Sequence, residues 1–484
     1  MNRKWLILLM TGSLVTGAGS TYAGMQWYEV KERSKLEEQL SGNVKVGETG
    51  TNESNQLEKV GQAYELILSR YVEKVDQEKL VEGAIQGMLG VLKDPYSVYM
   101  DQETATQFNQ SLDSSFEGIG AEVSKVDGKI VIVSPFKDSP AEKAGIKPND
   151  EIVKVNGESV EGLDLYEATL KIRGKKGTSV KLGIIRKGLK EPIEIKVKRD
   201  EIPLETVHAD VKKQNDKKLG YIEITSFSED TAKDFKKELK NLENQDIEGL
   251  LIDVRGNPGG LLSSVEEILK EFVTKDKPYV QIEKRDGEKK RYFSSLSNEK
   301  EYPVAVLIDK GSASASEILA GALKEAAGYE LVGEKTFGKG TVQQAVPMGD
   351  GSNIKLTLFK WLTPEGNWIH KKGIKPSVEV KQPIIFETHP LQVEKALERD
   401  MNNEQVKNAQ DILKGLGYSP GRNDGYFSDD TERAVKAFQQ QNELQATGKI
   451  DVKTAAELES AAIAAMKKEK NDLQLQTALR LLAK

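Results

Sequence analysis

The sequence contains no cysteine. Disulfides, thiolate metal sites and a cysteine nucleophile are therefore excluded, while the redox compartment stays open. Histidine is almost as scarce: His208, His370 and His389 are the only three and stand far apart, so a histidine-rich zinc site is not expected. A Ser-His-Asp arrangement needs a single histidine, yet no serine here sits in a G-x-S-x-G elbow. Aromatic residues are 6% of the chain and the net charge is −6, with no basic stripe interleaved with aromatics. Nucleic acid is thus not an expected partner.

What is present is ample for several cores. The chain has 484 residues, 38% hydrophobic and 30% charged, a length that suggests about three domains. One long apolar run occurs, from Trp5 to about Ala23, behind Arg3 and Lys4. It reads either as a cleaved secretory signal, with Thr21-Tyr22-Ala23 loosely resembling a cleavage site, or as a retained anchor. Either outcome puts the rest of the chain outside the cytoplasm, in the cell envelope or secreted. The expectation is a signal or anchor over 1–28 and a polar linker over 29–56. Apolar residues then fall at helical spacing (Val60, Ala63, Tyr64, Ile67, Leu68; Leu80, Ala84, Met88, Leu89). They predict an N-terminal helical region, 57–110, whose helices pack on each other or on a partner chain.

From Phe116 to Val197 strand-like runs alternate with turns. Ser139-Pro140 opens a helical turn that Gly145 closes, and Asp150–Val155 is a strand ending in the turn Asn156-Gly157. This order resembles a PDZ domain, placed at 111–200. The resemblance implies that a peptide tail is bound as an added strand, with its carboxylate in the loop Gly118-Ile119-Gly120-Ala121. Glycines of that kind also simply permit a tight turn.

Leu219 to Val380 alternates buried strands (Gly249–Arg255, Val304–Asp309) with helices, the pattern of an α/β unit with a partly parallel sheet. Sites in such sheets form at the carboxyl ends of strands. Two candidate segments lie there: Asp253–Gly260, and Gly311-Ser312-Ala313-Ser314-Ala315-Ser316-Glu317. A lysine between two glycines, Lys339, follows Ser314 by 25 positions. Serine needs a base to become a nucleophile, and a desolvated lysine can serve. Ser312 and Ser316 rival Ser314, and Ser316 also reads as a helix cap. Gly333–Lys339 fits a phosphate-binding loop until Gly340 stands where Ser or Thr is required, so that reading fails.

The serine and lysine segments, with Phe337–Gln343, the Asp-x-Arg-x-Asn-x-Gly-Gly run and the PDZ-like region, resemble the C-terminal processing peptidases, or tail-specific proteases, over roughly residues 57–390. The resemblance implies a serine endopeptidase core at 201–390, with Ser314 as nucleophile, Lys339 as base and Gln343 holding the amine. Gln344 is its neighbour and rival. An oxyanion hole would come from the N–H groups of Ala315 and of Gly260, in preference to Gly259. Arg173 would couple tail binding to assembly of the site. Residues 402–462 resemble a small three-helix peptidoglycan-binding module, of a kind also used for packing or dimer contacts. The tail, 463–484, reads as an amphipathic helix that packs on a partner.

The expected whole is a multidomain α/β protein: a protease core with a mixed sheet, an inserted β-rich PDZ domain, a helical N-terminal region and a three-helix C-terminal module. It would be an exported serine endopeptidase acting on protein or peptide tails, with no cofactor or metal, possible contact with peptidoglycan, and a homodimer as its assembly. The alternative is a catalytically silent PDZ scaffold that binds the cell wall.

Overall fold

The structure, a computed structural model, describes residues 54–126, 128–136, 138–163, 165–186 and 192–484. The expected signal or anchor (1–28) lies outside the described residues, as does the linker up to residue 53. The N-terminal region opens with helices Ser54–Arg70 and Gln77–Val91, the first beginning inside the span expected to be linker. Leu57, Val60, Leu66, Ile67, Val81 and Met88 are all exposed. Gln77–Val91 buries no residue at all. Among the described residues, the periodicity that predicts these helices thus has no core of its own beneath it, although amphipathic helices draw most of their stability from packing.

Residues from Leu89 onward form a second compact unit. Its centre is a six-stranded sheet ordered Val207–Gln214, Lys217–Ile224, Gly249–Asp253, Val304–Ile308, Glu330–Gly333, Val378–Glu379. The first pair is antiparallel and every later pair is parallel. Gly249–Asp253 and Val304–Ile308 are buried along their whole length, as strands covered on both faces must be. Alternate residues serve opposite faces. Leu250 and Ile252 meet Phe235, Leu239, Val265, Leu319 and Leu323 from helices Thr231–Glu243, Leu262–Leu269 and Ala315–Glu325.

Leu251, with Leu219, Ala305, Leu307 and Val332, packs instead on Leu475, Ala478, Leu479 and Leu482 of the C-terminal helix Leu473–Leu482. The tail expected to pack on a partner therefore covers the chain's own sheet. Nor is 463–484 a single helix: the preceding helix ends at Met466 and a short turn, Glu469–Asn471, intervenes. Arg255 fastens the junction, its guanidinium bonding Asp253, Asp472 and Gln474.

A second sheet carries Val98–Met100, Asn353–Leu362, Pro278–Glu283 and Lys289–Phe293, with Thr341–Pro347 paired to the long strand. The PDZ region has strands Ala121–Val126, Lys129–Pro135, Glu151–Val155, Ser179–Ile185 and Ile193–Lys198, with helices Pro140–Lys143 and Leu165–Ile172. Its local signals act as read. The Ser139 side chain caps the turn at Glu142 N, and Gly145 leaves it at φ 80°. Asn156 and Gly157 take φ 52° and 88°, the positive pair that a two-residue hairpin turn demands.

The C-terminal module packs helices Glu404–Gly415, Asp429–Gln441 and Val452–Met466. It contains an internal repeat built on buried glutamines. Gln410 accepts from Gly425 N and donates to Tyr426 O and Thr431 Oγ1. Gln439 does the same with Gly448 N, Lys449 O and Thr454 Oγ1.

Candidate active site

At the carboxyl end of Val304–Ile308 the Asp309 carboxylate accepts from the N–H groups of Gly256, Gly311 and Ser312. This pins the two candidate turns together and delivers three serines into different surroundings. Ser312 and Ser316 are fully buried. Their hydroxyls donate to Val254 O at 2.8 Å and Asn257 O at 2.9 Å. Ser316 lies within the helix Ala315–Glu325 and does not cap it. Ser314 stands at the corner before that helix, half-buried, with φ 56°. A positive φ at a residue with a Cβ costs energy and recurs where a side chain must be presented. Ser314 lines an open cleft of about 590 Å³.

Facing it is the glycine turn. The buried Asn257 side chain bonds Ile224 O and Gly259 N, and its carbonyl receives Ala313 N. Gly259 N–H is thereby taken. Gly260 N–H and Ala315 N–H have no partner among the described residues, and both residues line the cleft. Gly260 has φ 147°, and a Cβ there would lie 2.2 Å from Phe227 O, so only glycine fits.

Lys339 enters the same cleft from the other wall. The indole N–H of Trp361 holds its carbonyl at 2.8 Å, and Trp368 holds that of Gly340 at 2.8 Å. Its Nζ sits 4.9 Å from the Tyr96 ring centroid and has no hydrogen bond or ion pair among the described residues. Desolvation, then the nearby charge of Lys355, holds the amine below the usual lysine range, against smaller opposing effects of Asp94 and Glu317. This is the environment a lysine base requires.

Glu317 binds the two walls together. It is fully buried. Its Oε1 accepts from Thr336 Oγ1 and Gly338 N, and its Oε2 from Ser314 N and Lys339 N. Sequence reasoning missed this role. A glutamate three positions into a helix reads as a capping residue, and nothing local reveals that its partners come from 336–339. Tyr96 and Lys355 were missed for the same reason.

Gln343 and Gln344 both line the cleft. The Gln343 amide donates to Thr341 Oγ1 at 3.0 Å and Thr357 Oγ1 at 3.1 Å. The lysine amine it is expected to hold faces Tyr96 instead. In the PDZ region Gly118, Ile119 and Gly120 are buried and Ala121 is half-buried. Gly120 has φ 72° and abuts Ser139, so the packing alone accounts for this glycine. Arg173 follows helix Leu165–Ile172, with its guanidinium 4.8 Å over the Phe116 ring and its stem beside Gly118. Among the described residues no acidic or histidine cluster is arranged to hold a metal ion, and no helix is long and apolar enough to cross a membrane.

Comparison with known proteins agrees with this architecture. Residues 218–380 match peptidase family S41, 118–197 a PDZ domain and 402–458 a putative peptidoglycan binding domain. Residues 14–104 match the N-terminal domain of the activating protease CtpB. The chain is 60% identical over 482 residues to the carboxy-terminal processing protease CtpB of Bacillus subtilis, spanning 100% of this chain and 99% of the relative. It is 44% identical over 448 residues to CtpA of the same organism, spanning 92% and 94%. A solved photosystem II D1 C-terminal processing protease is 27% identical, with 69% of this chain and 94% of that one covered at a TM-score of 0.41.

Proposed function

We infer the reaction from a premise the comparisons supply: the chain belongs to peptidase family S41, the carboxy-terminal processing proteases. It is a hydrolase of peptide bonds and carries a PDZ domain. The proposed chemistry is as follows. Neutral Lys339 takes the proton of Ser314 Oγ as the oxygen attacks the scissile carbonyl. The oxyanion is received by the N–H groups of Gly260 and Ala315, donors worth roughly 3–4 kcal/mol each in such sites. The Lys339 ammonium then returns the proton to the leaving amine, and the same base activates water to release the acyl group. Gln343 turns from its threonines to orient the amine once substrate fills the cleft. What carries this reading is that Ser314 and a desolvated Lys339 without a carboxylate partner line one cleft beside two unused N–H groups.

The tail would add to the strand Ala121–Val126, which is an edge of its sheet and lies beside helix Leu165–Ile172. Its carboxylate would meet Gly118–Ala121, and Arg173 beside that loop would couple occupancy to the protease core. Export through the N-terminal segment and contact of the C-terminal module with peptidoglycan would put the enzyme in the cell envelope, a reading that the match of 402–458 to a peptidoglycan binding domain supports. The exposed apolar stripes of the two N-terminal helices support a homodimer.

The test is hydrolysis of a peptide bearing a free carboxyl-terminal tail. Wild type is expected to cleave it, and Ser314→Ala and Lys339→Ala are expected to abolish cleavage. Equal activity in Ser314→Ala would overturn the mechanism, and an inactive wild type would favour the PDZ scaffold.

A further inference from the structure

Two lysines, not one, enter the cleft that holds Ser314. Lys355 lines it together with Lys339. Lys355 lies on the strand Asn353–Leu362, opposite Ala345 of Thr341–Pro347. Two residues on, Thr357 stands opposite Gln343 and receives its amide. Side chains two apart share a face, so Lys355 is on the face that carries the glutamine. Its Nζ sits 4.5 Å from the Phe108 ring centroid. Like Lys339 it forms no ion pair among the described residues, whereas Lys360 of the same strand is paired with Glu283.

Desolvation holds the Lys355 amine below the usual lysine range as well, and its seat on the Phe108 ring offsets part of the cost of keeping it charged. We propose that Lys355 is a positioning residue for the base: its charge, in the same cleft, keeps the Lys339 amine in the proton-accepting form by like-charge repulsion. The proposal rests on the reading of Lys339 as base.

The other groups facing Lys339 leave this task to Lys355. Asp94 and Glu317 act in the opposite sense. Asp94 is engaged by Ser97 Oγ at 2.6 Å and by Tyr96 N, and Glu317 by its four donors. Tyr96 supplies a ring face, and His370 stacks on Trp368 and meets Tyr96 edge-on. A second cation beside a reactive lysine disfavours its ammonium, because the repulsion between two partly desolvated amines is screened less than in bulk water.

The test is the pH profile of kcat/KM for a tail-bearing fluorogenic peptide cleaved by the full chain. The acid limb of that profile reports protonation of the base in free enzyme. Lys355→Met keeps an unbranched stem on Phe108 and removes the charge. It is expected to move the acid limb up by about one pH unit, with most of the rate regained above it. Lys355→Arg is expected to keep the wild-type limb, and Lys355→Glu to move it further than Lys355→Met. A limb that does not follow this order of charge overturns the proposal, as does a rate loss equal at every pH. If Lys355→Met lowers the melting temperature, Lys355→Arg against Lys355→Glu decides by the same criterion. The two readings fail separately: hydrolysis surviving in Lys339→Ala removes the base itself, whereas an immobile limb with Lys339 still required removes only the role of Lys355.

Discussion

The carboxylate of Glu317 accepts a hydrogen bond from the backbone N–H of Ser314 at 3.0 Å and one from that of Lys339 at 2.7 Å. One buried side chain thus sets the spacing between the segment that carries the candidate nucleophile and the segment that carries the candidate base. The relationship makes Glu317 hard to replace. Glutamine has one acceptor oxygen, so one of the two donor pairs would meet an NH2 group instead. Glu317→Gln is expected to cost about 3 kcal/mol of stability, since buried donors left without acceptors cost about 1–3 kcal/mol each. Peptide hydrolysis should fall by about tenfold or more through misplacement of the reacting groups. Calorimetry and a peptide assay on the same preparation would check both, and a variant with wild-type melting and turnover would remove Glu317 from this role.

Gly260 offers a sharper test of the oxyanion turn. Its φ of 147°, and the 2.2 Å that would separate an added Cβ from Phe227 O, leave no room for a side chain. Gly260→Ala must rotate the peptide that carries the unpaired N–H. The expected loss is about 100-fold in kcat, the usual consequence of removing one oxyanion donor. Gly256→Ala, in the same turn, is the comparison: a Cβ there meets nothing within 4 Å, so it carries only the backbone strain of its φ of 65°. Wild-type kcat in Gly260→Ala would show that the N–H of Gly260 is not used.

Much of this architecture is legible in the sequence because it is local. Ser139, Pro140 and Gly145 specify their turn within a single short segment, and Asn156-Gly157 specifies its hairpin with one dipeptide. The run of alternating serines marks the site, although only the long-range bonds of Ser312 to Val254 and Ser316 to Asn257 distinguish the rivals from Ser314. What was illegible depends on register between distant segments. Glu317 meets 336–339, Lys355 meets a cleft built by several separate stretches, and Leu479 meets strands far earlier in the chain. An amphipathic helix advertises an apolar face but not the surface that will cover it.

Glu266 predicts a pH dependence of stability. It is buried in the helix that follows the glycine turn, with Tyr279 Oη at 3.4 Å. Burial pushes its carboxyl up to about 7 from an ordinary 4.5, opposed by Lys270 and the Tyr279 hydrogen bond. Because the folded value is raised, the contribution to stability is full below about 4.5 and is lost as the pH rises through about 7. Above that the buried carboxylate opposes folding. Glu266→Gln, neutral at all pH, is expected to be more stable than wild type by about 2–3 kcal/mol at pH ~8.5 and by little at pH ~4. Melting temperatures at the two pH values would measure this, and a difference independent of pH would refute it.

Arg173 predicts a dependence on the substrate's own tail. Its guanidinium rests 4.8 Å over Phe116, the residue two before Gly118, at the loop assigned to the tail carboxylate. A cation held there by an aromatic ring is free to respond when an anion arrives. Arg173→Ala is therefore expected to lower kcat/KM for a peptide with a free carboxyl terminus by about tenfold, a loss typical of about 1–2 kcal/mol of coupling. The same peptide ending in an amide should be cleaved slowly by both proteins and with nearly equal rates. Arg173→Lys should fall between, because lysine keeps the charge without the planar fork. If Arg173→Ala cleaves the free-tailed peptide as fast as wild type, Arg173 does not link the tail to the catalytic cleft.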